Sequence, residues 1–501
     1  MKKTYIGITI GPIFDTMDFV SSPSALWASS FMFSYISKSI CTILTERNAG
    51  IKIVTPYFKM SDKKSYLRND GVGLYHDRII FEKPDGFDIK SIDDIKNEVI
   101  DDISQKFNFG KTEYLKEYIM IAAVEAEAEN PIIEISPLLD SLELSKSFVA
   151  TESSNPILNT FTSVNVDEIK EDSQKKKAAS RNDEIKRIVK ENLQITGWQL
   201  FKDGEKGIKD LGDIAHCDDA DRKYNDYCAI VRADGDRIGK IIENLECDQF
   251  TDFSETCFKY CSAAAELVKK YNGVTIYSGG DDLLAILPCK SSNSEVSSFN
   301  GTVFDFAEEL SGEFNKSFEK YIETIEDNKP SLSIGILMFY KKYPLYEALS
   351  ESVGLLFGTA KEKRNCTAIS LQKHSGQSSC VIIPNQSMQD VIKLKNEIIS
   401  SGGYKKEEAL VSVLHKLSLF ENLFERASSD KQIDNLFTNI FDASEHQGND
   451  FLHKILPQYY NKLRCEEKSP VYSNVGSGMF ADTFSMLMRI IKFYLEKKGE
   501  K

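Results

Sequence analysis

Short apolar runs alternate along this chain with longer stretches in which apolar residues return every third or fourth position, and the alternation occurs twice in the same order. In the first pass, residues 5–10 predict a strand, 23–47 a helix, 51–58 a strand, 71–82 a strand or hairpin, 90–107 a helix and 116–126 a strand. In the second, Tyr227 to Asp234 reads as a buried strand and Phe253 to Lys270 as a helix. Val274–Ile276 and Leu283–Leu287 then read as a hairpin, Val303 to Thr324 as a helix, Ser331 to Phe339 as a strand and Leu345 to Lys363 as a helix. Both passes give the order βαββαβ, the ferredoxin-like plan. Between them, residues 150–225 are polar and rich in Lys, Asp and Asn, with Trp198 and Phe201 as strong anchors and a flexible stretch expected near Ser163 to Ser180. From about residue 385 the spacing is helical, as in Leu410-Val413-Leu414-Leu417, Leu436-Ile440-Phe441 and Met486-Met488-Ile491-Phe493. The expected architecture is α+β. It comprises a first ferredoxin-like domain at 1–149, a small helical linker domain at 150–225, a second ferredoxin-like domain at 226–380 and a helical bundle at 381–501, suited to docking on neighbouring subunits.

Composition narrows the class. The chain has 501 residues, 41% hydrophobic, and lacks an apolar run near the length of a membrane span. The start, Met1-Lys2-Lys3-Thr4 leading into a polar-interrupted strand, does not read as a signal peptide. Ten cysteines without a Cys-x-x-Cys pair point to a reducing cytoplasm, and Cys257 and Cys261, one helical turn apart, read as core thiols. Net charge is −14, the opposite of a free-standing nucleic-acid binder, so any RNA contact must be local or shared with basic partners. The one basic run, Lys175-Lys176-Lys177 with Arg181, Lys186 and Arg187, reads first as a solvated loop.

The chemistry concentrates at Tyr277-Ser278-Gly279-Gly280-Asp281-Asp282-Leu283-Leu284. Two glycines between strands supply the positive φ of a tight turn, which lifts two adjacent carboxylates onto the tip of a hairpin. Such carboxylates repel unless a divalent cation lies between them and a substrate. Upstream, the strand ending at Asp234 is followed by a glycine turn, Gly235, and a helix expected to open at Asp236. In the ferredoxin-like order this strand lies beside the hairpin, so Asp234 reaches the same ions as Asp281 and Asp282. Three convergent carboxylates suit Mg²⁺ (or Mn²⁺) shared with substrate phosphates, the requirement of nucleotidyl transfer.

The Asp234 strand, the Gly-Gly-Asp-Asp hairpin and Ala360-Lys361 before Asn365-Cys366-Thr367-Ala368-Ile369 resemble the large subunit of type III CRISPR effector complexes, most of all its III-B (Cmr) branch. Gly11-Pro12-Ile13-Phe14-Asp15 and Ala25-Leu26-Trp27-Ala28-Ser29-Ser30 resemble that family's opening motif. The likeness is dense around residues 5–35 and 226–375. It implies two palm domains, ATP as substrate, other subunits of the complex as partners, and guide and target RNA bound through that complex, with no membrane. The palm is expected to act when target RNA is held. A zinc-binding cysteine cluster between the palms, common in the family, finds no match, so no zinc is expected. Members often carry an HD nuclease domain ahead of the first palm. The six scattered histidines and a start at the palm lead us to expect none.

The resemblance leaves the acceptor open. In common members a second ATP accepts, giving cyclic oligoadenylate; a nuclease-less subset joins AMP from ATP to S-adenosylmethionine. Asp70, in Asn69-Asp70-Gly71-Val72-Gly73-Leu74-Tyr75-His76-Asp77-Arg78, where common members carry a different, proline-containing motif, and Glu143, in Asp140-Ser141-Leu142-Glu143-Leu144, suit a ligand bearing an ammonium and a sulfonium. Equally, Asp70 opens a turn and Glu143 faces solvent. The expected roles are Asp234, Asp281 and Asp282 on metal; amides of Gly235, Asp236 and Arg237 and the side chain of Lys361 on phosphates; and Ser278, Gly279 and Gly280 beside the adenosine. Asp70, Glu143, Ser29 and Ser30 would meet the acceptor. A diguanylate-cyclase-like enzyme shares the hairpin but needs neither a second palm nor a helical tail, and a purely architectural subunit remains an alternative.

Overall fold

The computed structural model describes residues 2–17, 22–48, 50–59, 74–106, 112–144, 210–215, 221–246, 248–296, 301–400, 404–441, 450–464, 471–473 and 479–498. Most of the linker expected at 150–225, its anchors Trp198 and Phe201, the basic run and Asp70 lie outside these residues.

The first sheet contains β1 (Lys3–Gly11), β2 (Ile53–Thr55), β3 (Arg78–Glu82) and β4 (Met120–Ala128) in the order β2-β3-β1-β4, antiparallel throughout. That is the ferredoxin-like order expected from the periodicity. Two bounds differ. Pro56 lacks an amide donor and β2 stops before it, while the apolar residues ahead of β4 belong to a helix, Thr112–Tyr118.

The second sheet runs β10-β9-β8-β5-β7-β6, with β5 (Tyr227–Asp236), β6 (Val274–Gly279), β7 (Asp282–Pro288), β8 (Ser331–Tyr340), β9 (Cys366–Gln372) and β10 (Ser378–Pro384). Strands β8-β5-β7-β6 repeat the ferredoxin-like order, and β9 adds in parallel beside β8. Because β10 extends to Pro384, the sheet crosses the expected domain boundary at 380.

Strand β5 is buried on both faces. Ala229, Val231 and Ala233 face one hydrophobic core, shared with helices Phe250–Lys270 and Val303–Ser317 and with the C-terminal helices. Cys228 and Ile230 face a second core, shared with the first domain. The layer between the two sheets is the helix Pro23–Arg47, whose Leu26, Trp27, Phe31, Ile36 and Ile40 are buried. Apolar residues around its circumference suit a helix covered on several sides. Ser22 caps its N-terminus by accepting from Ala25 N, with Pro23 in the first turn.

The C-terminal helices Met388–Ser400, Tyr404–Leu419, Glu421–Arg426, Asp430–Ile440, Leu456–Arg464 and Phe480–Phe493 pack around Phe424, Phe437, Tyr460 and Phe484. They share one core with the second sheet, and the Phe493 ring meets Tyr227 at 4.8 Å. Glu496 pairs with Lys223 at 3.0 Å and Lys373 at 2.7 Å, anchoring the end of the last helix to the start of β5. Among the described residues, no helix is long and apolar enough to cross a membrane.

Candidate nucleotidyl-transfer site between the palms

Strands β6 and β7 are joined by a two-residue turn, since Gly279 pairs with Asp282. Only Gly280 has positive φ, at 67°, where two such glycines were expected. Positive φ confined to the first central position is the pattern of a type II′ hairpin, whose twist matches its strands. The turn places Asp281 at the tip and Asp282 at the first position of β7. Neighbouring β5 carries Asp234 opposite Ser333 of β8. One carboxylate oxygen from each of Asp234, Asp281 and Asp282 lies within 4.8 Å of the others. Three hard oxygen donors so close fit Mg²⁺ or Mn²⁺, which bind few protein ligands and complete their shells with water or phosphate. Burial and the neighbouring Asp234 charge push the Asp281 carboxyl up to about 7, and burial with Asp281 and Asp234 nearby pushes Asp282 well above the usual carboxylate range. Such a cluster keeps its protons until a cation replaces them.

The surroundings hold this arrangement. Gly235 N donates to Asp281 Oδ2 at 3.1 Å, an approach that depends on the missing side chain. A Cβ on Gly235 would lie 2.6 Å from that oxygen and 2.6 Å from Ile238 Cγ1. Gly235→Ala should therefore displace the Asp281 carboxylate and weaken Mn²⁺ binding by about tenfold or more, about 1.4 kcal/mol. Titration of Mn²⁺ into the variant checks this, and an unchanged affinity would contradict it.

Lys361 reaches the cluster from the opposite side. The helix Leu345–Leu355 passes through a π turn at Leu356–Ala360, a local widening common at functional sites, before Lys361. Lys361 Nζ lies 2.5 Å from Asp234 Oδ2, 3.5 Å from Asp236 Oδ1 and 2.6 Å from Gly235 O.

Several expected roles change. The helix after β5 opens at Ile238, not Asp236, because β5 continues through Asp236 and Arg237 turns the chain with φ 59°. Asp236 is buried and accepts from Ser331 Oγ at 2.8 Å, Ser333 Oγ at 2.8 Å and Asn365 N at 2.9 Å. Its carboxylate fastens β5 to β8 and to the loop behind Lys361. The Gly235 amide is likewise occupied by Asp281, so it is not open to a phosphate as expected. Ser278 is buried, with its hydroxyl on Cys261 O at 3.1 Å, clamping the hairpin to helix Phe250–Lys270. Gly279 and Gly280 do line the open space.

That space is a cleft of about 350 Å³ walled by both domains. Asp281 and Asp282 stand on one wall; Thr55, His76, Asp77 and Arg78 stand on the other. Aromatic contacts hold the walls in register: Phe258 meets Tyr57 at 5.6 Å and Tyr75 at 5.9 Å. Asn130 Nδ2 also donates to Ile242 O at 2.7 Å across the junction. The helix Pro23–Arg47 braces the far wall, with Ser34 Oγ accepting from Tyr75 N at 3.2 Å and Ser37 Oγ donating to His76 O at 2.7 Å. His76 sits between Thr55 Oγ1, at 2.9 Å, and the Arg78 amide, which donates to Nδ1 at 3.4 Å. Burial, with the Arg78 charge behind it, lowers its pKa to about 4 and keeps the ring neutral.

The acceptor residues expected from sequence are arranged differently. Glu143 Oε1 accepts from Thr9 Oγ1 at 2.6 Å and lies 3.5 Å from Arg78, which also pairs with Asp140. Ser29 is buried with its hydroxyl on Ala25 O at 2.8 Å, and Ser30 is buried in the same helix; neither lines the cleft. Cys261 is a core thiol as expected, bonded to Gly280 O at 3.3 Å; Cys257 packs against the same core as expected and also lines the cleft, its thiol held protonated by burial beside Asp281. Thr55 was not legible as a site residue, and His76 and Asp77 stood within the Asn69 to Arg78 stretch without a role of their own. His76-Asp77 is an isolated dipeptide in the sequence, and only the approach of the two domains puts it opposite the hairpin.

Residues 227–369 match the family model of Cas10/Cmr2, second palm domain. The chain is 30% identical over 178 residues to the CRISPR system Cmr subunit Cmr2 of Pyrococcus furiosus, a match covering 30% of this chain and 19% of that relative's length. Its fold is similar to one in a type III-B Cmr-beta complex bound to cognate target RNA, at 12% identity and TM-score 0.61, covering 99% of this chain and 83% of the other. It is similar again to one in a Csm1–Csm4 cassette in complex with cA4, at 12% identity and TM-score 0.57, covering 99% of this chain and 70% of the other. The segment carrying Asp234, Asp281 and Asp282 thus matches a second palm domain of the Cas10/Cmr2 kind, and it packs against a first ferredoxin-like domain.

Proposed function

We propose that this chain is the signalling large subunit of a type III CRISPR effector complex, working in the cytoplasm with the other subunits and with guide and target RNA. In this reading the cleft transfers AMP from ATP to S-adenosylmethionine when target RNA is bound. One observation carries it: a three-carboxylate cluster faces, across a cleft of about 350 Å³, a first-palm wall whose described residues offer a carboxylate and, as their cation, an Arg78 already paired with Asp140 and Glu143. The fold likeness to a subunit of an RNA-bound Cmr complex supports the partners.

Asp234, Asp281 and Asp282 would hold Mg²⁺, which supplies charge neutralisation at the phosphates. The chain's own residues do the positioning. The hairpin and Gly235 fix the carboxylates, Lys361 lies within reach of a phosphate beside Asp234, and Gly279 and Gly280 leave room for the nucleoside. The acceptor's ribose hydroxyl oxygen forms a bond to the α-phosphorus. The α–β bridging P–O bond breaks, pyrophosphate leaves and the hydroxyl proton passes to solvent. Effective concentration in the cleft accounts for much of the rate.

Cyclic oligoadenylate synthesis from ATP alone is the second reading, favoured by the cA4 bound in the Csm1–Csm4 cassette. On the described first-palm wall, however, the cation nearest a second triphosphate is Arg78, already paired with Asp140 and Glu143. Incubating the assembled complex with target RNA, Mg²⁺ or Mn²⁺ and labelled ATP, with and without S-adenosylmethionine, separates the readings. A product that requires S-adenosylmethionine supports the proposal, and oligomers from ATP alone replace it with the cyclase. No product while RNA stays bound leaves an architectural subunit.

A further inference from the structure

We infer that Asp77 is the residue by which the first palm selects a positively charged acceptor, an inference that rests on the acceptor reading above and deepens it. The observations are independent of the metal cluster. Asp77 lines the same cleft as Asp281 and Asp282 but belongs to the facing domain. Its backbone is held: Ile10 N donates to Asp77 O at 3.0 Å, and the flanking His76 is fixed through Ser37 and Thr55. A carboxylate on so fixed a segment is preorganised for a ligand.

Its charge is left for that ligand. Arg78, the adjacent cation, is drawn away onto Asp140 and Glu143 of helix Pro131–Leu144. His76, the other basic group beside it, stays neutral. Among the described residues the Asp77 carboxylate makes no ion pair; burial raises its pKa to about 6, the Arg78 charge pulls it back down in part, and Glu143 and Asp140 add to the negative field there. An ammonium or sulfonium entering between the palms would meet this group, whereas a triphosphate would meet repulsion from it. Asp77 touches the acceptor in this view and is a specificity residue, separate from the carboxylates that serve ATP.

The test compares equilibrium binding of S-adenosylmethionine, its analogue S-adenosylhomocysteine, which keeps the ammonium but has a neutral thioether in place of the sulfonium, and a non-hydrolysable ATP analogue with Mn²⁺. The full chain, Asp77→Asn and Asp77→Glu are measured side by side. Expected is a preference for the sulfonium ligand of about tenfold or more in the parent chain. That preference should fall toward unity in Asp77→Asn and be largely kept in Asp77→Glu, with ATP-analogue affinity unchanged in all three. A preference that survives in Asp77→Asn overturns the role of Asp77 and leaves the acceptor reading standing. Parallel loss of ATP-analogue binding in Asp77→Asn overturns the inference in favour of a structural role. If the parent chain does not bind S-adenosylmethionine and takes up two ATP analogues, the acceptor reading falls and the inference with it.

Discussion

Asp281→Asn/Asp282→Asn should lower turnover by at least about a thousandfold, equivalent to about 4 kcal/mol of barrier, while raising the melting temperature of the metal-free protein at pH 8. Activity should fall because two of the three carboxylates proposed to hold the cation become neutral amides. Stability rises because the same two carboxyls are held in the fold against burial and against Asp234. The sign follows from linkage. A carboxyl whose folded pKa lies above its unfolded value contributes stability at acid pH, and that contribution disappears as pH climbs toward the folded value, about 7 for Asp281. The parent chain should therefore lose stability between about pH 4 and pH 7, and the Asn variant should not. The gain in melting temperature should be present at pH 8 and absent at pH 4. Mg²⁺ should stabilise the parent chain alone, since only it retains the intact ligand set. Equal melting temperatures for the two proteins at pH 8 without metal would sink the claim that these acids are mutually strained.

Metal affinity should fall by about tenfold for each pH unit below 7, a hundredfold between pH 7 and pH 5 if one proton is displaced per ion. The protonated form of Asp281 dominates below about 7, and binding must release that proton. Mn²⁺ calorimetry in buffers of different ionisation enthalpy measures the release directly. The expected result is at least one proton per ion at pH 6, with the Asp281 share declining above pH 7. Lys361, paired with Asp234, pulls both carboxyls down without changing this sign, because burial and the neighbouring acids outweigh it. A flat affinity from pH 5 to pH 8 would mean that the ion binds elsewhere.

The two βαββαβ passes were legible because amphipathic periodicity reports local geometry. The Pro23–Arg47 helix and strands β5 and β8 fall within a few residues of the expected bounds. Legibility failed where neighbours decide. Asp236 reads as a helix opener, yet two serines of β8 and the Asn365 amide bind its carboxylate inside the sheet. Ser29 and Ser30 lie in a motif-like stretch and prove to be small hydroxyls inside a buried helix. Glu143 does face a cation, but that cation is this chain's own Arg78.

By itself the chain determined the strand and helix order of both palms, the hairpin that pairs Asp281 with Asp282, and the place of Asp234 on the neighbouring strand. These follow from periodicity, from the backbone freedom of Gly280 and from a strand order that recurs with that topology. Only the tertiary structure decided what faces them. The helix Pro23–Arg47 and the Phe258 contacts with Tyr57 and Tyr75 fix one palm against the other, and that packing sets Asp77 across the cleft from the hairpin. The reason is one of range: hydrogen-bond periodicity acts over a few residues, whereas the cleft is made by side chains some two hundred positions apart, brought together by burial of their apolar neighbours.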